Sequence, residues 1–145
     1  MVSPVMITIF GTQSFQNEEP ETIQLVTEGS YCYEPGYVVI SYAETEMIGL
    51  EGVHTTFTIE DGEKEKRVTL KRTGKVNSTM IFDLEEKHES LYDAGFAALL
   101  IGVQAEEITV LLNERGGIFD LTYSVEIERT PCGTNAYHIE VRQLS

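Results

Sequence analysis

Positive charge is scarce in this chain. Its 145 residues carry 24 Asp and Glu against 10 Lys and Arg, a formal net charge of −14. Phosphate backbones and anionic bilayers are bound through clustered basic side chains, so the composition argues against a general nucleic-acid binder and against a membrane-surface binder. Cysteine is also scarce: Cys32 and Cys132 have no ligand spacing, and a reduced pair of unreactive thiols is expected. No apolar run approaches the roughly 20 residues that a helix needs to span a bilayer. The opening residues MVSPVMITIFGTQ lack a basic segment, an apolar stretch of useful length and a small-residue cleavage site, so no signal peptide is expected. Together these absences predict a soluble, cytoplasmic protein.

Helical patterning is missing as well. No segments of helix length alternate with strand-like ones, which excludes a βαβ fold. What replaces them is alternation, the period of a strand whose successive side chains point to opposite faces. In TIQLVTEGSYCYE, Ile23, Leu25, Tyr31 and Tyr33 share a face, with Gly29 between them predicting a bulge or sharp coil. Pro35-Gly36 predicts a turn into YVVISYAETE, where Val38, Ile40, Tyr42 and Glu44 form one row. A loop with Gly49 and Gly52 follows. TTFTIED then alternates Phe57 and Ile59 with polar residues, and Asp61-Gly62 is a hairpin signal leading to KRVTLKRT, with Val68, Leu70 and Arg72 together. Thr73-Gly74 turns the chain into VNSTMIFDL, with Val76, Met80 and Phe82 on one face.

Residues 83–95 are ambiguous between a short helix from Asp83 to Gly95 and a loop plus a short strand. FAALLIGVQ is a continuous apolar run short enough for a strand buried on both sides, and EEITVLLNE reads as a further strand. In IFDLTYSVEIE the alternation is clearest: Phe119, Leu121, Tyr123, Val125 and Ile127 face one way. Pro131-Cys132-Gly133 is read as the turn into AYHIEVRQ, with Tyr137, Ile139 and Val141 inside. This gives an all-β domain over residues 1–145 with no visible boundary. An antiparallel meander of about eight to ten strands must curl, and closure removes its edges; a closed barrel is therefore expected, with a two-sheet sandwich as the alternative.

The ordered set Gly29-x-Tyr31, Ser41-Tyr42-x-Glu44, Arg72-x-Gly74, Met80-x-Phe82 and LNERGGIFDLTYSVEIE followed by AYHIEV resembles the YwiB-like family of small bacterial proteins of unknown function. The resemblance runs from about Ile23 to Val141 and implies a calycin-like or lipocalin-like closed barrel. It brings no catalytic residues with it. The chain also lacks tryptophan, and with it the G-x-W signature of secreted lipocalins.

The candidate site follows from two strand rows that begin as core and end in charge. Glu44 ends the row of Val38, Ile40 and Tyr42; Arg72 ends the row of Val68 and Leu70. In a meander these strands are two apart, roughly 10 Å at about 4.8 Å per neighbour, within the combined reach of Glu and Arg. The expectation is a Glu44–Arg72 pair at one barrel end, with Tyr42 nearby and Ser78 in reach. Such a pair is either a structural plug or the mouth of a ligand site in which Arg72 receives a carboxylate or phosphate. The bulky inward rows favour a filled interior over a large cavity.

Other chemistry is absent from the pattern. His54, His88 and His138 have no metal-type spacing. No nucleophile elbow, Walker loop or dinucleotide fingerprint occurs, so neither a cofactor nor a metal is expected. Six of the ten basic residues, Lys64, Lys66, Arg67, Lys71, Arg72 and Lys75, fall in one stretch, read as an edge-blunting basic hairpin or a patch for an acidic partner. A barrel binding a small acidic or amphipathic ligand is the leading reading. A filled barrel that self-associates or meets a protein partner is second, and an enzyme third.

Overall fold

The computed structural model of the chain describes residues 2–15, 18–44, 52–62 and 65–144. Ten strands follow one another: β1 (Val2–Phe15), β2 (Glu21–Glu34), β3 (Tyr37–Ala43), β4 (Val53–Asp61), β5 (Lys66–Gly74), β6 (Ser78–Asp83), β7 (His88–Asp93), β8 (Ala98–Asn113), β9 (Gly116–Ile127) and β10 (Thr130–Gln143). They form a single antiparallel sheet in the order β6-β5-β4-β3-β2-β1-β10-β9-β8-β7. Each strand thus pairs with its neighbours in sequence, except that β6 and β7 stand at the two ends of the order, and β1 also pairs with β10. The sheet curls until β6 and β7 meet, and the seam is held where Asn77 and Asp93 exchange backbone hydrogen bonds of 2.8 and 2.9 Å. The result is a nearly closed up-and-down barrel, consistent with a lipocalin-like architecture. No helix among the described residues is long and apolar enough to cross a membrane.

The inward rows are those the alternation dictates. Val38 and Ile40 on β3, Phe57 and Ile59 on β4, Val68 and Leu70 on β5, Phe82 on β6, and Phe119 and Leu121 on β9 are all buried. Register carries each row around the wall: Ile40 lies opposite Phe57, Phe57 opposite Leu70, and Leu70 opposite Met80. Phe57 meets Phe119 across the interior, edge to face, with ring centroids 5.9 Å apart, a geometry favoured by the ring quadrupoles. Tyr31 reaches the far end of the barrel and donates to the Asn113 carbonyl at 2.6 Å.

Several local expectations are revised. Of the two readings of residues 83–95, the loop plus a short strand holds: β7 occupies their centre, and Leu84, Leu91 and Tyr92 do not make a helical stripe. FAALLIGVQ and EEITVLLNE are one strand, β8, interrupted by a register shift between Ala105 and Glu107. Its apolar start is not buried on both sides: Phe96, before the strand, is 92% exposed and Leu99 is 42% exposed, and only Ile101–Val103 are covered on both faces. The last turn lies at Glu128-Arg129, both at positive φ (51° and 67°), as a two-residue hairpin loop demands. Pro131-Cys132-Gly133 is instead a bulge inside β10. The opening residues, read only for targeting signals, form β1 at the middle of the sheet order. Gly49, Thr45, Glu46 and Lys64 lie outside the described residues.

Gly29 is not a bulge either, since β2 keeps register with both β1 and β3 through it. Its role is close approach. A Cβ there would sit 2.4 Å from both the Ser41 carbonyl oxygen and Ile7 Cδ1, whereas at inward-facing Gly11 it would meet the Tyr137 ring at 3.8 Å. The two glycines should therefore respond oppositely to alanine. Gly29→Ala is expected to destabilise by about 1–3 kcal/mol through overpacking. Gly11→Ala is expected to be neutral or stabilising by up to about 1 kcal/mol, because glycine loses more chain entropy in a strand. Urea denaturation of the two variants checks the contrast.

Candidate functional site at the barrel mouth

At the end of the barrel where β3 and β5 finish and β4 and β6 begin, one cross-strand row turns polar. Gly29 lies opposite Tyr42, Tyr42 opposite Thr55, Thr55 opposite Arg72, and Arg72 opposite Ser78. Directly opposed residues in an antiparallel ladder point to the same face, so a ring of hydroxyls and one guanidinium rims the interior. Glu44 continues the β3 row one step further, with its backbone N–H held by the Val53 carbonyl at 2.8 Å. Its side chain is only 7% exposed and Thr55 is fully buried.

Glu44, Tyr42 and Arg72 line one cavity of about 210 Å³. The opposite wall comes from β1, β2 and β10: Ile9, Gly11, Gln13, Ile23, Leu25, Asn135 and Tyr137. Gly11, lacking a side chain on the inward face of β1, leaves part of that room. Below the cavity the interior is filled by aromatic and branched side chains, in keeping with bulky inward rows that favour filling over a large cavity, and the room is confined to this end.

The expected Glu44–Arg72 contact does not form directly. Thr55 Oγ1 donates to Glu44 Oε1 at 2.7 Å, and Arg72 Nη2 donates to the Tyr137 hydroxyl at 3.2 Å. The reason is registry. Thr55 lies between the two charged residues and engages the carboxylate, while Tyr137 reaches across the interior to the guanidinium. Among the described residues Glu44 Oε2, Arg72 Nε and Ser78 Oγ are buried without hydrogen-bond partners. Ser78 is in the polar row but opens onto a different hollow of about 330 Å³ near the β6–β7 seam, shared with Arg72, Asn77 and Ser90.

The phenols around the guanidinium are electrostatically shaped. Burial, reinforced by the neighbouring Glu44 carboxylate, holds the Tyr42 phenol well above its ordinary pKa despite the opposing pull of Arg72. Burial and Tyr137 raise Tyr123, and burial and Tyr33 push Tyr31 to about 12. Burial opposes the charge on Arg72, yet Tyr137, Tyr42 and Tyr123 outweigh it and raise its pKa. Tyr137 stacks on Tyr123 with centroids 6.2 Å apart and meets Phe57 edge-on at 5.5 Å. Thr55, Tyr137 and Asn135, which donates to Tyr123 at 3.3 Å, were not singled out from the sequence. The inward placement of Tyr137 was legible, and Thr55 stands two residues before Phe57, but a threonine suits either face of a strand.

Elsewhere the candidates are ordinary. Among the described residues no group of three or more His, Cys, Asp and Glu is gathered to hold a metal. His138 bonds Asp120 at 2.5 Å on the outer face, and His54 contacts Ser41. Cys32 and Cys132 are free. In the basic stretch Arg67 pairs with Asp83 at 3.4 Å and Lys66 reaches the Ile108 carbonyl at 3.4 Å.

Thr55→Val keeps the shape of the rim and removes the donor to Glu44. It is expected to cost about 1.5–3 kcal/mol, the worth of a buried bond to a charged group, measured by chemical denaturation at neutral pH. The raised phenols set a second expectation. An unfolded tyrosine ionises near its ordinary value of 10.0, whereas Tyr31, Tyr42 and Tyr123 retain their protons higher in the folded barrel. Their stabilising contribution is therefore full below the unfolded pKa and is lost as pH rises through it toward the folded values. Near-ultraviolet tyrosinate absorbance should show the ionisation of these three phenols arriving together with alkaline unfolding.

Comparison with known proteins agrees with the fold. The crystal structure of the YwiB protein from Bacillus subtilis is similar, with a TM-score of 0.79 at 18% sequence identity over 99% of this chain and 94% of that one. No curated protein matches. The model of the family described as a domain of unknown function (DUF1934) matches residues 7–139; the chain belongs to that family.

Proposed function

We propose that this protein is a small-molecule-binding barrel, with its site in the cavity between Arg72 and Glu44. The observation that carries the reading is a pair of opposite charges lining one cavity, each with a buried polar atom that has no partner among the described residues. Buried unsatisfied groups are costly and uncommon in folded proteins, and a ligand arriving in the cavity supplies what they lack. Arg72 receives an acidic group, Tyr42 and Tyr137 flank it, and Ile9, Ile23 and Leu25 cover an apolar body. Ser78 engages a ligand that extends past Arg72 toward the seam. Small-ligand sites are concave and largely apolar with a few converging polar groups, and a barrel of this width has room either to fill with side chains or to hold one small ligand. The net charge of −14 is unsuited to nucleic acid or anionic membrane, and a cytoplasmic bacterial setting fits both the composition and the similarity to a Bacillus subtilis protein.

A second reading rests on a different observation. Phe96 is exposed by 92% and Leu91, on the outer face of β7, by 61% near the β7–β8 connection, apolar groups suited to self-association or a protein partner.

Native mass spectrometry of the protein isolated from its own host separates the two. A binding barrel is expected to carry a reproducible small-molecule adduct that is lost in Arg72→Gln while the variant remains folded. An adduct-free protein that forms dimers dispersed by Phe96→Ser would instead establish the interaction reading.

A further inference from the structure

We infer that the ligand of this cavity is a small zwitterion on an apolar body, the class of the apolar α-amino acids, with its carboxylate at Arg72 and its ammonium at Glu44. The inference rests on the binding-cavity reading and narrows it. Four observations point the same way.

The first is charge. Glu44 is 93% removed from solvent by its 7% exposure, is engaged on one oxygen by Thr55, and has no partner for Oε2 among the described residues. An anion placed at Arg72 alone would confront this second negative charge inside a low-dielectric site, where like charges repel far more strongly than in water. An amine at Glu44 alone would confront Arg72 in the same way. A ligand with both groups alternates the charges and leaves the cavity neutral.

The second is spacing. Glu44 and Arg72 stand on strands two apart with Thr55 between them, and no ion pair joins them. Neither charge neutralises the other, so each is left to meet the opposite group of a ligand that carries a carboxylate and an ammonium on one carbon. The third is the wall: Ile9, Ile23 and Leu25 line the side contributed by β1 and β2, and Gly11 leaves it open. The fourth is size. A cavity of about 210 Å³ is somewhat larger than one of roughly 150 Å³ that holds benzene, which suits a ligand of about eight or nine non-hydrogen atoms.

Calorimetric titration of the full chain with L-leucine, isocaproate and isoamylamine tests this, since the three share an apolar body and differ only in their charged groups. Leucine is expected to bind at least about tenfold more tightly than either analogue, the worth of one charge-assisted contact. In Glu44→Gln, which retains an acceptor for Thr55, that preference over isocaproate should disappear while isocaproate affinity holds or improves. Isocaproate binding as tightly as leucine to the native protein overturns the zwitterion and leaves an acid-binding cavity standing. Failure of all three to bind, with L-methionine and L-phenylalanine also inert, overturns the inference, while the native-mass adduct decides the cavity reading on its own. The ligand series uses the unaltered protein, so the test survives if a variant fails to fold.

Discussion

The structure depends on the pairing of the first strand with the last. β1 runs against β10 from Val5 opposite Gln143 to Phe15 opposite Gly133, and against β2 on its other side. Without that junction the chain would be a six-stranded meander, β1 to β6, and a four-stranded one, β7 to β10, each with two open edges and one uncovered apolar face. With it, the inward rows of both halves face one another, and Phe57 of one half meets Phe119 of the other. The wall is then continuous except at the seam, where a single pair of backbone bonds between Asn77 and Asp93 joins β6 to β7. Closure also brings Tyr137 of β10 across to Arg72 of β5, a contact between residues that no local pattern connects.

The mouth is where the core pattern gives way to chemistry. Everywhere below it, alternation puts apolar side chains inside, and burial supplies the stability that small barrels need. At the rim the same alternation places Thr55, Arg72, Ser78 and Glu44 inward instead. Burying a charge is expensive unless hydrogen bonds replace the lost water. Thr55 and Tyr137 provide part of that replacement, one for each charge. The two charges make no direct ion pair, and a cavity of about 210 Å³ lies at this end.

The rows on β3, β4, β5, β6 and β9 could be read directly, because strict alternation fixes a face once any one residue is assigned. The inward end of β3 at Glu44 and of β5 at Arg72 followed from the same rule. What could not be read was register: direct contact between Glu44 and Arg72 was inferred from reach alone, and the intervening Thr55 decides otherwise. Turns governed by glycine were legible at Pro35-Gly36, where Gly36 takes φ of 81°, and at Thr73-Gly74, where φ is 113°. The reversal at Glu128-Arg129 was not, because it places two ordinary residues at positive φ and leaves the Pro-Cys-Gly signal to a bulge. Alternation alone divides β8 in two, because its bulge interrupts the period after Ala105.

The most direct test of the central claim, that two charges are held apart to embrace a ligand, is a high-resolution crystal structure of the protein purified from its own host. The expected result is well-defined density for a small molecule in the cavity, touching Arg72 on one side and Glu44 on the other, with Thr55 and Tyr137 still in place. A direct Glu44–Arg72 salt bridge across a collapsed, empty mouth would contradict it.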